Sequence, residues 1–280
     1  MLKNIPLDIH KCDKIIYKGI PILCMDCGSS YVKTLFFDNN GFVTSKYSYE
    51  NFSIKEILKS VDTKNTVIIL TGVRGDEIHK EISPLFVIRY TEMECISAIA
   101  TSIGIDQAII ASIGTGTFFI VLENNTGIHF GGTGIGGGTF IGLAARLLNI
   151  TDPVEVEKLA ETGNLTKINH TIEELTNSGI SYLTNDYTAS NFSKLSGGSP
   201  NDIAAGIHSL VAEVIGMMGA QIAVSHKIKT IIFTGAVCKN RLICERLVMC
   251  MELFSLKAIF IDKPEFGTCF GGIMRYSREV

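Results

Sequence analysis

Between Gly131 and Phe140 the chain reads Gly-Gly-Thr-Gly-Ile-Gly-Gly-Gly-Thr-Phe, six of its 27 glycines in ten residues. Glycine loses more backbone freedom on folding than any other residue. Such density is kept where the fold needs φ > 0 or a very close approach of the backbone to something else. An apolar run with helical character, Ile-Gly-Leu-Ala-Ala-Arg-Leu-Leu, follows at 141–148, whereas a flexible linker would continue with polar residues. A glycine-rich turn that opens a helix presents outward-pointing N–H groups and the positive end of the helix dipole, and both favour an anion such as phosphate. Nucleotide or phosphate contact is therefore expected at Gly137, Gly138, Thr139, Phe140 and Ile141.

The rest of the composition narrows the class. A chain of 280 residues with 46% hydrophobic and 19% charged residues has ample material for one large domain or two lobes. A net charge of −3 provides no electrostatic footprint for nucleic acid or an anionic membrane. Apolar runs stay short of the ~20 residues of a membrane span, and the first residues lack a continuous signal-peptide core. A cytoplasmic protein is expected. Of the eight cysteines, Cys24 and Cys27 form one C-x-x-C pair with no second pair to complete a zinc site. The pair ends a strand-like run, where positions i and i+3 point to opposite faces. Buried free thiols are the expectation for all eight.

Along the chain one device occurs twice. Residues 20–25 read as an apolar strand, Asp26-Cys27-Gly28-Ser29-Ser30 as a tight turn, and 31–37 as a second strand. Residues 41–48 supply a third strand. Helix is predicted over 54–61, 76–83 and 94–103, and strand over 65–71 and 85–90. The pattern then restarts with a strand at 108–112, a turn at Gly114-Thr115-Gly116-Thr117, a strand at 118–123, and His129 leading into the glycine segment. Later elements are a long helix over 202–226, a strand at 229–234 entering Gly235-Ala236, a helix over 240–253, a strand at 258–261 and a helix over 264–276. The Ser-, Thr-, Asn- and Gly-rich stretch 177–199 reads as a loop. The repetition predicts two related α/β lobes, divided as 1–105 and 106–280, with nucleotide in the cleft between them.

The turns carry chemistry. Asp26, at the end of a strand, suits hydrated Mg²⁺, which keeps most of its waters and takes few carboxylates. Backbone N–H groups and hydroxyls over Gly28, Ser29, Ser30, Tyr31 and Val32 suit the β- and γ-phosphates, and Lys33 adds a point charge. Gly114, Thr115 and Gly116 form the second phosphate turn. Gly235 and Ala236 fit an adenosine contact.

These residues resemble the superfamily of acetate and sugar kinases and actin. From about Ile22 onward the chain is similar to the type II pantothenate kinases in particular. The resemblance rests on Asp26-x-Gly-x-Ser-x-x-Lys33, Leu70-Thr71-Gly72, Glu92-Met93-Glu94-Cys95, Ile113-Gly114-Thr115-Gly116, the segment 131–142, Thr188-Ala189-Ser190-Asn191-Phe192, and the terminal Phe266-Gly267 to Gly271-Gly272. It implies a two-lobed actin-like fold, ATP with Mg²⁺, and phosphorylation of pantothenate to 4′-phosphopantothenate. Glu92 then takes the place of the catalytic base, at a strand end, and Glu94 supports the helix start. His129, Thr188 and Ser190 fall on the pantothenate side. A homodimer built on the long helix is expected by the same analogy. Two positions depart from the family's pattern. Ser30 stands where threonine is usual, which keeps the hydroxyl. His129 stands where an arginine is common, and an imidazole is not a permanent carboxylate partner. Pantetheine or an amino sugar as acceptor, or an ATPase or regulatory role in the same superfamily, are the alternatives.

Overall fold

The computed structural model describes residues 4–5, 19–176 and 187–280. Cys12 and residues 177–186 of the expected loop lie outside them. The first half runs β1 (Asn4–Ile5), β2 (Ile22–Cys27), β3 (Tyr31–Asp38), β4 (Gly41–Ser48), α1 (Ile54–Lys59), β5 (Val67–Thr71), α2 (Gly75–Ile82), β6 (Ile88–Arg89) and α3 (Glu92–Ser102). There follow β7 (Ala108–Ile113), β8 (Thr117–Glu123), β9 (Thr126–Thr133), α4 (Gly137–Leu148), α5 (Pro153–Ala160), β10 (His170–Thr171), α6 (Ile172–Thr176) and β11 (Thr188–Ser190). The chain finishes with α7 (Pro200–Ser225), β12 (Thr230–Thr234), α8 (Arg241–Leu253), β13 (Lys257–Ile261) and α9 (Gly267–Ser277).

Two mixed sheets result. One has the order β4-β3-β2-β5-β6, and the other β1-β13-β12-β7-β8-β9. In each, an antiparallel meander (β2-β3-β4, β7-β8-β9) is joined through its first strand to parallel neighbours. The duplication expected from the two turns is therefore a duplication of topology. Strands β2 and β7 are buried along their whole length, as a strand covered on both faces must be.

Helices cover both faces of both sheets. Leu23, Met25 and Leu70 pack under α1 and α2 with Ile54 and Ile78. Between the sheets lies a layer of α3 and α9, where Ile96, Ile99, Phe270 and Ile273 meet Ile22, Cys24 and Ile69 from one sheet and Ile110, Ile120 and Ile232 from the other. The outer face of the second sheet, with Ile109, Phe119 and Phe233, is covered by α4, α5, α7 and α8. The C-terminal helix thus ties the first sheet to the second through one continuous core.

Helix α7 begins two residues earlier than the hydrophobic pattern predicts. Ser199 caps it in a capping box with Asp202, and Pro200 occupies the first turn, where its missing N–H is no loss. Its small residues are used inside the chain: Gly206 lies against Phe192, Gly216 against Cys250 and Gly219 against Phe119. The helix is long and apolar enough to span a membrane, but 72% of its most apolar stretch is buried in the protein. Each fully buried Ile or Val on it contributes on the order of 1.5–3 kcal/mol. The strand expected over 85–90 shrinks to β6, an edge strand that pairs with β5 alone. Of the two alternating cysteines, Cys24 faces the layer between the sheets and Cys27 the opposite core. Seven described cysteines are free and buried.

Candidate active site

The two turns meet. In the first, Gly28 N–H donates to the Tyr31 carbonyl (3.1 Å), and the Tyr49 hydroxyl donates to the Gly28 carbonyl (2.6 Å). In the second, Gly114 N–H donates to the Gly116 carbonyl (2.9 Å). The Thr115 hydroxyl lies 3.1 Å from the hydroxyls of both Ser29 and Ser30. Gly235, with φ +100°, sits on the Ile113 carbonyl, where a Cβ would overlap it, and donates its N–H to Pro264 (3.0 Å). Only glycine meets both demands, the positive φ and the close approach. Ala236 starts the 3₁₀ turn Ala236–Lys239 beside it.

The glycine segment behaves differently from expectation. Gly137 N–H donates to the Gly114 carbonyl (2.8 Å) and Gly138 N–H to the Thr115 carbonyl (2.9 Å). These two amides are turned into the protein, not outward, and they brace the second turn against the head of α4. A Cβ on Gly136 would stand 2.7 Å from the Thr115 carbonyl oxygen, so the glycines serve backbone-to-backbone packing. Thr139 donates its hydroxyl to Gly134 (2.9 Å). Phe140 is a core residue, edge-on to the buried His208 ring at 4.7 Å, and Ile141 packs against the same core. Asn240 accepts from Ile243 N–H through its oxygen, so its amide nitrogen donates to His208 Nε2 (3.0 Å), and His208 Nδ1–H donates to Ala204 (2.7 Å). Burial holds this imidazole below its usual range, outweighing the Ala204 bond.

The charged residues converge at the end of β2. Asp26 is 3% exposed and pairs in register with Lys33 on β3, whose ammonium donates to Asp26 Oδ2 at 3.1 Å. Burial pulls the Lys33 ammonium down, and the adjacent carboxylate outweighs that and holds it above the usual lysine range. Among the described residues the other Asp26 oxygen accepts no hydrogen bond. Glu92 is the first residue of α3, not the end of a strand: β6 stops at Arg89, and Thr91 caps the helix. The acidic pair divides its labour. Glu94 closes a capping box, with Thr91 N–H donating to it at 2.8 Å, while Glu92 is half-buried and its carboxylate makes no hydrogen bond among the described residues. Burial, then the Asp26 charge, push its pKa up to about 7 against the pull of Lys33.

The acceptor-side candidates are not joined to this cluster by any hydrogen bond or ion pair among the described residues. His129 is exposed on β9 opposite Ile120, and cross-strand partners share a face, so it lies on the side covered by α3, with its ring 6.1 Å from Phe118. Thr188 donates to Glu213 Oε1 (3.0 Å), and the Ser190 carbonyl accepts from Ser193 (2.9 Å). Glu213, buried on α7, also accepts from Ser209 (2.7 Å) and Asn191 (3.2 Å). It organises the Thr-Ala-Ser-Asn-Phe segment, and no periodicity singles it out among the residues of α7. Tyr49 has no sequence signal either.

Residues 107–275 match the Fumble family. The chain belongs to that family. A type II pantothenate kinase of Bacillus cereus is 29% identical over 268 residues, covering 91% of this chain and 98% of the relative. Among solved structures, the activator of the 2-hydroxyisocaproyl-CoA dehydratase from Clostridium difficile with bound ADPNP superposes with a TM-score of 0.62 at 19% identity, over 93% of this chain and 95% of that one. A ROK family protein from Streptococcus pneumoniae in complex with sucrose gives 0.58 at 12%, over 93% and 99%. At such identities the likeness concerns the fold, which is the two-lobed actin-like ATPase fold. The curated relatives of this Fumble family member are named type II pantothenate kinases.

Proposed function

We propose that this Fumble family member transfers the γ-phosphoryl group of ATP to the primary hydroxyl of pantothenate, forming 4′-phosphopantothenate. The observation that carries the reading is Glu92: a half-buried carboxylate that makes no hydrogen bond among the described residues, facing Asp26 and Lys33, with its pKa raised to about 7. A base of that pKa is matched to proton abstraction near neutral pH.

Glu92 takes the hydroxyl proton as the alcohol oxygen attacks the γ-phosphorus. The bond to the β-phosphate oxygen breaks and ADP departs with its electron pair. Lys33 and the hydroxyls of Ser29, Ser30 and Thr115 hold the phosphates from the two turns, and Gly114, Gly116, Gly235 and Ala236 line the nucleotide's path. The Asp26 oxygen that Lys33 leaves free among the described residues would hold a hydrated divalent cation, which keeps most of its waters and takes few carboxylates. Mg²⁺ when bound offsets the negative charge that spreads over the transferring group. Thr188 spends its proton on Glu213, which leaves its oxygen to accept from an acceptor molecule, and with Ser190 and His129 it belongs to the pantothenate side of this proposal. The lobe division near 105/106, a homodimer and a cytoplasmic location belong to it as well.

Coupled ADP-release assays with Mg-ATP on pantothenate, pantetheine and glucosamine, run beside Glu92→Ala, test the reading. Turnover on pantothenate that disappears in Glu92→Ala supports it. Turnover on pantetheine but not pantothenate would move the acceptor to a neutral relative.

A further inference from the structure

A row of charge crosses the first sheet. Asp26 on β2 is the register partner of Lys33 on β3, and Lys33 is the register partner of Lys46 on β4. Register partners point to the same face, so all three side chains project toward the layer between the sheets. Asp26 neutralises Lys33. Lys46 makes no ion pair among the described residues. Its ammonium sits 3.7 Å above the Tyr31 ring instead. Like charges placed directly opposite each other on a sheet are destabilising, and a tyrosine face does not cancel a charge.

The second lobe closes on the same place. Lys239, at the end of the 3₁₀ turn that begins at Ala236, pairs with Glu265 at 3.0 Å and remains largely exposed. The Lys46 ammonium lies below the usual lysine range through partial burial first, then through Lys33 and Lys239, with Glu265 opposing. It therefore feels cations from both lobes. Glu265 is spent on Lys239 and Asp26 on Lys33, so among the described residues no carboxylate pairs with Lys46.

We infer that Lys46 is a second phosphate-binding lysine, which grips the phosphate chain of the nucleotide together with Lys33 while the Tyr31 ring holds it in position. The inference rests on the nucleotide reading above. It explains why the sheet tolerates Lys46 opposite Lys33: the unfavourable pair is relieved when a polyanion arrives. The same chemistry assigns Tyr31 to orienting Lys46, not to stacking on a base.

The test is calorimetric titration of the 280-residue chain with Mg-ADP and with a non-hydrolysable ATP analogue, on wild type, Lys46→Met and Lys46→Arg, together with melting curves of each without ligand. Lys46→Met is expected to weaken both nucleotides about 10-fold, the scale of one partly solvated charge-assisted bond. Its ligand-free melting temperature should equal or exceed that of the wild type, because a like-charge pair has been removed. Lys46→Arg should retain affinity within about threefold. Wild-type affinity in Lys46→Met, with the wild type binding well, overturns the role of Lys46 and leaves the nucleotide reading standing. A drop in affinity matched by a lower ligand-free melting temperature overturns it too, by making Lys46 structural. No binding of either nucleotide by the wild type overturns the nucleotide reading itself.

Discussion

The hydroxyls of Ser29 and Thr115 lie 3.1 Å apart although 86 residues separate them. Each caps a turn between antiparallel strands in a different sheet, and the Ser30 hydroxyl stands at the same distance from Thr115. The contact is exposed, polar and small, so it adds little to stability. Its effect is geometric, because it holds the two turns side by side, where the phosphate chain of the proposed nucleotide would touch both.

Thr115→Ala should therefore act on binding more than on folding. The melting temperature is expected to move by no more than about 2 °C, since an exposed neutral hydrogen bond is worth roughly 1 kcal/mol or less. KM for ATP should rise severalfold while KM for the acceptor stays put. Steady-state kinetics with each substrate varied in turn would check this, and an equal change in both KM values would count against it.

As the proposed base, Glu92 would set the pH dependence. Its pKa is about 7 in the folded protein, so the basic form grows as pH rises through 7, and kcat/KM should rise with it. The linkage to stability has the opposite sign. The folded state keeps a proton that the unfolded state, with a reference pKa near 4.3, has already lost, so this group's contribution falls as pH increases from about 4 to 7. Glu92→Gln should be inactive and also more stable than wild type at pH 8, with the advantage shrinking toward pH 5. Melting curves at both values decide it, and a gain that does not depend on pH would show that the carboxylate is not perturbed.

Gly271 marks a close approach between α9 and α3. A Cβ there would overlap the Cys95 carbonyl, and the helices cannot separate without opening the core between the sheets. Gly271→Ala is expected to cost about 1–3 kcal/mol by overpacking and to lower the melting temperature by several degrees. Because α3 carries Glu92 at its head, kcat should fall as well. Differential scanning fluorimetry beside activity measurements tests both parts.

Glu213 accepts hydrogen bonds from Ser209, Thr188 and Asn191. Glu213→Ala would strand three donors in a mostly buried place, at roughly 1–3 kcal/mol for each one left fully unsatisfied. Marked destabilisation and loss of acceptor affinity are expected. Glu213→Gln, which retains one acceptor oxygen, should recover part of both. Thermal melts of the two variants with acceptor titrations would measure the difference.

Pattern alone reached much of this molecule. The period-2 strands, the two Gly/Ser/Thr turns and the long apolar helix are local, and each is written in a few consecutive residues with a physical reason to behave as they do. From these followed two duplicated α/β halves and the opposite orientations of Cys24 and Cys27, and the family resemblance added Glu94 at a helix start. What depends on distant backbone did not follow. The glycine segment was legible as a place of close approach, but not what approaches it: Gly137 and Gly138 give their N–H groups to Gly114 and Thr115. The burial that lifts Glu92, the carboxylate of Glu213 that holds Thr188, and the alignment of Lys46 with Lys33 exist only once strands pair in register and α9 packs back against α3. Sequence specifies local geometry and which faces must be buried, because those are set by backbone sterics and side-chain polarity over a few residues. The electrostatic environment of each carboxylate and lysine is decided by the tertiary structure, because Coulomb and desolvation effects act through space and not along the chain.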